Sequence, residues 1–314
     1  METIKVFTDR ILISAGSTYL DIDAYACIAA MAELLCLQGQ NAFAYSTAPC
    51  NYSVCPSLMS EGQINRELPV DIEESEARYI IVDVSDPEFL KSSVPLHRVI
   101  AVYDHHTGFE EYWQEKIGDG AHIEFIGAAA TLIYREWNRE GLQEQMSLDT
   151  ARLLLAAILD NTLNLTSSNT TEEDREAFTA LCRQAGVGDE FRAEYFSEVQ
   201  KGVEEDLKNA LWNDVKTVRN NPVLPPRVAQ LCVWNAEGLL EKLPEIRKIF
   251  AEEADGWMVN LIDIQHGCNY FICDDARYQE NIERIFGVRF CFGAARTDEL
   301  YLRKEIIRKT QTIK

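Results

Sequence analysis

The fold class of this 314-residue chain is indicated most clearly by the stretch Arg98-Val-Ile-Ala-Val-Tyr-Asp104-His105-His106-Thr-Gly108. Its apolar, β-branched run is typical of a strand that is buried on both faces, as in a parallel sheet. The run stops at a carboxylate and two imidazoles, at the carboxyl edge where open α/β sheets place their sites. Together these groups suit a divalent transition metal. In the alternative interpretation, Asp104 caps the strand and both histidines are ordinary surface residues.

Two other predicted strands also end near carboxylates. The run Arg10-Ile-Leu-Ile-Ser-Ala-Gly16 is followed by a loop with Asp21 and Asp23 and then by a helical pattern, and Arg78-Tyr-Ile-Ile-Val-Asp83 ends on a carboxylate. In a parallel sheet these ends meet at one edge, where like charges repel unless cations lie between them. The sequence therefore predicts two divalent metal ions, roughly 3.5–4 Å apart. N-capping of the helix would account for one of the two early aspartates.

The remaining pattern predicts a two-domain α/β protein, as the length suggests. Strands and helices alternate up to about residue 188, which predicts a doubly wound parallel sheet. Beyond it, the chain becomes more charged and predicts a smaller α+β domain, with the boundary between Gly186 and Lys201. We predict domains at residues 1–188 and 198–314. Single helices are expected at 189–212 and 236–253, and the fifth strand of the first sheet at 122–127.

Composition excludes several classes of function. The chain has 30 Lys plus Arg against 51 Asp plus Glu, a formal net charge of −21. This charge repels nucleic-acid duplexes and anionic membrane surfaces. We find neither a signal-peptide pattern nor an apolar run of transmembrane length, and the nine cysteines are scattered, so we expect a cytoplasmic location. Cys50 and Cys55 could form half of a zinc site, but no second Cys/His pair follows at ligand spacing.

The order and spacing of these motifs resemble the DHH phosphoesterase superfamily. The resemblance rests on Asp21-Ile-Asp23, Asp83, Asp104-His105-His106 and Gly127-Ala-Ala-Ala-Thr131, and Ile158–Leu165 is similar to the superfamily's fourth motif. In the second domain, Asp214-Val-Lys216 and Leu302-Arg303-Lys304 are similar to phosphate-binding segments of family II inorganic pyrophosphatases and related exopolyphosphatases. The Gly-Gly-Gly-His signature of oligonucleotide-cleaving relatives is absent from the sequence.

The resemblance implies a metal-dependent phosphohydrolase whose active site lies in a cleft between two domains. Its substrate would be a small phosphate anion, polyphosphate or pyrophosphate, attacked by a water that two metal ions activate. Manganese is the preferred ion, with magnesium or cobalt as alternatives, and a homodimer is a candidate assembly. The implied metal ligands are Asp21, Asp23, Asp83, His105 and Asp160, with Asp83 between the ions. The implied substrate contacts are His106, Lys216, Arg303 and Lys304.

Two positions depart from the family pattern. Ser17 stands where the pyrophosphatases have a histidine ligand, and its Gly16-Ser17 context is more similar to the exopolyphosphatases. A hydroxyl is a weaker ligand than imidazole, so one ion would be held loosely. Asn161 stands where the fourth motif has an aspartate, and Asp160 precedes it. If Asp160 cannot take over as the ligand, activity would be low or absent.

Two alternative functions remain open at this level. One is a phosphodiesterase of nucleotides or short oligonucleotides, which would need aromatic stacking residues such as Tyr19 or Tyr103. The other is a binding or regulatory protein that has lost turnover through Ser17 and Asn161. His97 and His122 fall outside the motifs, and we predict structural roles for both.

Overall fold

The chain divides into two compact units, Met1–Gly188 and Asp189–Lys314. A computed structural model describes residues 10–16, 19–60, 63–68, 76–90, 93–251 and 255–311. Ser17, which departs from the family pattern, lies outside the described residues. None of the helices in the described ranges has both the length and the apolar composition needed to cross a lipid bilayer.

The first unit is built on a five-stranded sheet in the order β2-β1-β3-β4-β5, and every neighbouring pair is parallel. The predicted α/β fold class is confirmed. The strands are β1 Ile11–Ser14, β2 Ala42–Ala44, β3 Arg78–Val82, β4 Val99–Asp104 and β5 Ala121–Ile123. The helices are α1 Ile22–Leu37, α2 Pro87–Leu90, α3 Glu110–Ile117, α4 Ala129–Arg139, α5 Leu148–Asn161 and α6 Glu172–Ala185.

The strand order places the switch point of the sheet, where open α/β folds bind ligands, at the carboxyl ends of β1 and β3. The chain leaves β1 towards β2 on one side, and the later strands add on the other side, which makes this pair the topological switch point of the sheet. Asp21 and Asp23 follow β1, Asp83 follows β3, and Asp104 ends β4. The fold therefore brings the predicted ligand segments to one edge.

Buried apolar side chains hold the sheet and helices of this unit together. All four residues of β1 are buried, and Ile81 and Val102 in β3 and β4 are fully inaccessible. Trp113 of α3 is also fully buried, and its indole N–H donates to the carbonyl of Ser85. Because this indole is both buried and hydrogen-bonded, it fixes the segment that follows β3 without leaving an unsatisfied donor.

The second unit contains a mixed five-stranded sheet in the order β10-β9-β8-β7-β6, in which only β7 and β8 are parallel. Its strands are β6 Lys216–Thr217, β7 Arg227–Val233, β8 Trp257–Asp263, β9 Cys268–Ile272 and β10 Ala294–Thr297. Its helices are α7 Glu190–Glu205, α8 Leu207–Asn213, α9 Glu237–Glu241, α10 Leu243–Ile249, α11 Ala276–Phe286 and α12 Arg303–Gln311.

Three predicted elements were too long. The expected helix at 189–212 is broken at Asp206, whose backbone is not helical and whose side chain caps α8 by accepting from the Asn209 N–H. The expected helix at 236–253 is broken at Lys242, just before Pro244, which cannot continue a preceding helix. The strand expected at 122–127 ends at Ile123 because its neighbour β4 ends at Asp104, opposite it in register.

Candidate metal centre

Asp83, His105 and His106 converge at the carboxyl edge of the parallel sheet. Among the described residues, they form the one group of three or more potential ligands whose donor atoms all lie within 4.8 Å of one another. His105 Nε2 is 3.4 Å and His106 Nδ1 is 4.0 Å from Asp83 Oδ1. The Asp83 and His105 side chains are almost fully buried, whereas that of His106 is 55% exposed. The group is therefore enclosed on one side and open on the other.

The backbone at Asp83 turns sharply where β3 ends. Its φ of 57° lies in the left-handed region, which aspartate tolerates better than most residues. The Asp83 N–H donates to the carbonyl of Tyr103 in β4 at 2.8 Å, so the turn is held by the neighbouring strand. Strained backbone that is held in this way is concentrated at functional sites.

His105 is oriented by a backbone carbonyl. Its Nδ1 lies 3.3 Å from the carbonyl oxygen of Ile126, in the loop between β5 and α4. A hydrogen bond there places the proton on Nδ1 and leaves the lone pair on Nε2, which faces Asp83. Histidine ligands of metals are commonly fixed through the other ring nitrogen in this manner.

Asp23 is fully buried and joins α1 to α4. Its Oδ2 accepts from the Ala129 N–H at 2.9 Å, and its Oδ1 accepts from the Ala130 N–H at 2.8 Å. These are free donors of a helix N-terminus, where a carboxylate is favoured. Burial, followed by the charge of Asp21, nevertheless raises the pKa of Asp23 to about 8. Asp23 Oδ2 is 3.9 Å from His105 Nε2, so Asp23 borders the three-residue group.

Asp104 holds His106 in place. Its Oδ1 accepts from the His106 backbone N–H at 3.0 Å and is 2.9 Å from His106 Nδ1. Burial alone would raise the pKa of Asp104, but the hydrogen bonds and charge of His106 outweigh burial and lower it. Asp104 therefore stays ionised, which fixes the His106 ring and leaves Nε2 as the nitrogen that Asp104 does not engage.

Asp21 and Asp160 lie outside the three-residue group. Asp21 is the N-cap of α1 and accepts from the Ala24 N–H at 3.0 Å. This is the capping role that the sequence offered as an alternative to metal binding. It is close enough to Asp23 for its charge to influence the Asp23 pKa. Asp160 is half-buried in the last turn of α5, one residue before Asn161. Metal ligation by these two aspartates stays a prediction.

The predicted substrate contacts of the second unit differ in exposure. Lys216 and Lys304 are exposed, but Arg303 is buried and its guanidinium binds Asp214. Arg303 Nη1 is 2.5 Å from Asp214 Oδ2, and Nη2 is 3.2 Å from Oδ1, a two-pronged ion pair. Any anion bound by Arg303 would therefore compete with Asp214 or use the remaining donors. The substrate roles of these three residues stay predictions.

Several other candidate residues have structural surroundings. Tyr103 is buried and stacks on His122 with ring centroids 4.4 Å apart, which agrees with packing roles for both. His97 is exposed in the short 3₁₀ helix Leu96–Arg98 that precedes β4. Cys50 Sγ is 3.1 Å from an Arg66 guanidinium nitrogen, and neither Cys50 nor Cys55 joins a ligand group within the described ranges.

The donor set fits a divalent metal ion. Two imidazoles and a carboxylate from adjacent strand ends have donor atoms within 4.8 Å of one another; imidazole suits transition metals such as zinc and iron, and carboxylate suits manganese and magnesium. A cation bound here would favour the ionised form of Asp23, whose pKa is otherwise raised to about 8, and would balance the charge of Asp104. Asp83 and His105 would hold such an ion, with Asp23 beside them.

One buried residue next to this site was missed in the sequence. Asp174 of α6 is fully buried and accepts from the Gly127 N–H at 2.9 Å and from the Thr131 hydroxyl at 2.6 Å. Thr171 and Asp174 have the spacing of a helix capping box, which was a visible signal. A capping box predicts only a helix start, so the contact with a loop 47 residues earlier could not be foreseen.

Proteins similar to this chain in sequence include manganese-dependent inorganic pyrophosphatases. A probable manganese-dependent inorganic pyrophosphatase of Deinococcus radiodurans is 30% identical over 178 residues, which are 54% of this chain and 52% of that protein. The match thus spans about half the length of that relative. A manganese-dependent inorganic pyrophosphatase of Methanothrix thermoacetophila is 25% identical over 253 residues, 76% of each chain. No family model matches the sequence.

A solved structure shares the fold over nearly the whole chain. A putative family II inorganic pyrophosphatase of Methanococcus jannaschii superposes with a TM-score of 0.62 and 19% sequence identity. The superposition covers 96% of this chain and 98% of that one. At this identity the likeness establishes the fold alone.

Proposed function

Because this chain is similar to family II inorganic pyrophosphatases in sequence and in fold, we propose that it is a metal-dependent phosphohydrolase. Its reaction would be hydrolysis of phosphoanhydride bonds in polyphosphate or pyrophosphate. The observation that carries this proposal is the convergence of His105 and His106 on Asp83 at the switch point of the sheet. The names of the relatives favour manganese as the ion.

The residues of the first unit would bind the ions and handle protons. Bound divalent ions would polarise the phosphoryl group and supply a nucleophilic water at neutral pH. Asp83 and His105 would hold them, helped by Asp23. His106 is exposed and held at Nδ1 by ionised Asp104, so its imidazolium form could donate a hydrogen bond from Nε2 to a substrate phosphate without losing its orientation.

The exposed cations of the second unit would bind the substrate anion. Lys216 and Lys304 offer point charges that suit phosphate, an anion that a chain of net charge −21 would otherwise repel. The ion pair with Asp214 would hold Arg303 rigid beside them. The Gly16-Ser17 context favours polyphosphate over pyrophosphate as the substrate.

The test measures phosphate release from pyrophosphate and from a long polyphosphate, and mononucleotide release from a dinucleotide, each with Mn²⁺, with Mg²⁺ or without metal. We expect metal-dependent release from a phosphoanhydride and none from the dinucleotide. Asp83→Asn and His105→Gln should each lower the rate by ~100-fold or more, because losing even an outer partner of a metal ligand costs 10–100-fold.

The matched control is His97→Gln. His97 is exposed at the amino end of β4, the end opposite to Asp104, and its substitution should leave the rate unchanged. Equal activity of Asp83→Asn and the wild type, with both proteins folded by circular dichroism, would contradict the proposal. Release of mononucleotide from the dinucleotide instead would support the phosphodiesterase alternative.

A second candidate function is a metal-binding homologue with little turnover. It is favoured by the pairing of Arg303 with Asp214, which occupies a cation that the reaction would need, and by Asn161 in the fourth motif. This candidate predicts tight binding of Mn²⁺ and of a non-hydrolysable pyrophosphate analogue without phosphate release. Calorimetry beside the phosphate assay separates it from the enzyme.

A further inference from the structure

Asp174 has more hydrogen-bond donors around it than a helix cap requires. It lies in the first turn of α6 and forms a capping box with Thr171, whose N–H and hydroxyl both donate to Asp174 Oδ2 at 2.7 Å. Its carboxylate also accepts from Gly127 and Thr131, in and before the first turn of α4. Burying a carboxylate is costly unless it is fully hydrogen-bonded, and four donors meet that need.

The two additional donors belong to the segment that contacts the metal-binding side chains. Ile126, just before Gly127, presents the carbonyl that orients His105. Ala129 and Ala130 donate their N–H groups to Asp23. Segment 126–131 is therefore anchored to Asp174 at two points and in turn contacts His105 and Asp23.

The close packing of Gly127 supports this connection. A Cβ atom at Gly127 would lie 2.5 Å from Asp174 Oδ2 and 2.6 Å from Thr162 Cγ2, shorter than any ordinary contact. The absent side chain lets the Gly127 N–H reach the carboxylate directly. The approach of α6 to this turn therefore leaves no room for a side chain at position 127.

We propose that Asp174 is a positioning residue for the metal centre. By fixing segment 126–131, it sets the direction of the His105 ring and the place of the Asp23 carboxylate. The inference rests on the proposed function only in requiring that the site bind a divalent ion. It does not depend on which phosphate ester or anhydride is cleaved.

The test compares Mn²⁺ affinity in four variants by calorimetry. Asp174→Ala removes both anchors, and we expect affinity to fall by ~10–100-fold, as when other partners of metal ligands are lost. Thr131→Val removes the anchor in α4 and keeps the shape of the side chain, so we expect a smaller fall in the same direction. It also serves if Asp174→Ala does not fold.

Two matched variants separate positioning from general stability. Asp174→Asn keeps one oxygen for the N–H donors, and its amide can donate to the Thr131 hydroxyl, so affinity should stay within about threefold of wild type. Thr171→Ala removes the α6 cap and should lower the melting temperature, but it leaves Gly127 and Thr131 bound to Asp174. Its Mn²⁺ affinity should stay near that of wild type.

A spectroscopic measurement reports on geometry directly. The visible absorption of bound Co²⁺ depends on the number and arrangement of its ligands, so the spectrum should change in Asp174→Ala and stay the same in Thr171→Ala. Wild-type affinity in both Asp174→Ala and Thr131→Val would overturn the proposal. An affinity loss in Thr171→Ala equal to that in Asp174→Ala would overturn it too.

The outcomes for this proposal and for the proposed function differ. A wild-type protein that binds Mn²⁺ but releases no phosphate would contradict the hydrolase alone, and the variants would still test Asp174. A wild-type protein that binds no Mn²⁺ would overturn both.

Discussion

At the scale of single residues, the site combines buried carboxylates with close backbone contacts. Asp83 adopts a left-handed conformation, Asp23 caps α4, and Asp104 fixes His106. Each carboxylate thus has a geometric task in the protein as well as a charge for a cation. Because each carboxylate has both roles, a substitution here can change the stability of the protein as well as its affinity for a metal ion.

Gly127→Ala should destabilise the protein. The new methyl group would overlap Asp174 and Thr162, and overpacking of this kind costs about 1–3 kcal/mol. The control is Gly238→Ala in α9, where the nearest atom to a new Cβ is a glutamate oxygen at 3.3 Å. Alanine is preferred to glycine in helices by about 0.5–1 kcal/mol, so this control should be neutral or stabilising. Urea unfolding measures both, and equal midpoints would refute the packing argument.

The cysteines should differ strongly in reactivity towards thiol reagents at pH 8. Burial raises the pKa of Cys273 to about 12, and burial followed by the charge of Asp23 raises that of Cys27 well above its ordinary value. Because the thiolate is the reactive form, neither should be alkylated in the native protein. Cys36 and Cys291 are exposed and should react first, as followed by mass spectrometry. Labelling of Cys273 as fast as Cys291 would contradict the burial.

At the scale of secondary-structure elements, helix ends are joined by side chains from distant parts of the chain. Asp23 of α1 binds the N-terminus of α4, and Asp174 of α6 binds the turn before it. Glu33 of α1 does the same for α5, accepting from the Ser147 N–H at 2.7 Å and from the hydroxyls of Ser147 and Thr150. Such contacts satisfy the donors that every helix N-terminus leaves free.

Glu33→Ala should therefore loosen the packing of α1 against α5. It leaves three donors without their acceptor, and we expect a loss of about 1–2 kcal/mol in the free energy of unfolding. Glu33→Gln is the matched variant, since its amide oxygen can accept from the Ser147 N–H and its nitrogen can donate to the hydroxyls. Glu33→Gln should therefore lose less free energy of unfolding than Glu33→Ala. Denaturant unfolding measures the stability of both variants. An unchanged midpoint in Glu33→Ala would show that the cap does not contribute to stability.

Sequence patterns predicted elements better than their ends. The strands β1, β3 and β4 lie within a few residues of their expected positions, because their apolar runs are well defined. The helices expected at 189–212 and 236–253 each divide in two, at Asp206 and before Pro244. Pro244 is a residue type that predicts a helix break, whereas the non-helical backbone conformation of Asp206 depends on its surroundings in the fold.

At the scale of the whole molecule, the chain forms two compact units with separate cores. In the first, residues such as Leu12, Ile81 and Trp113 pack together, and in the second Met258 and Phe271 belong to another buried cluster. Each unit also has its own five-stranded sheet. Independent cores of this kind are what allows a domain to fold alone.

We therefore expect residues 1–188 and 189–314 to fold as separate fragments. Each should give a dispersed amide NMR spectrum and a cooperative thermal transition, because no strand of either sheet comes from the other unit among the described residues. The first fragment should retain the Asp83–His105–His106 group. Collapsed spectra for both fragments would show that neither core is sufficient.

The parallel sheet and the carboxylates at its strand ends could be predicted from the amino-acid sequence alone, and the metal site at that edge stays a prediction. These follow from local patterns, since apolar runs specify buried strands and parallel strands present their carboxyl ends together. Three contacts emerge only in the folded chain: Asp23 caps α4, Asp174 is buried against Gly127, and Arg303 pairs with Asp214. Each of these contacts joins residues 47 to 106 positions apart. The spacing of neighbouring residues cannot predict such distant partners, because they are brought together by the packing of the whole chain.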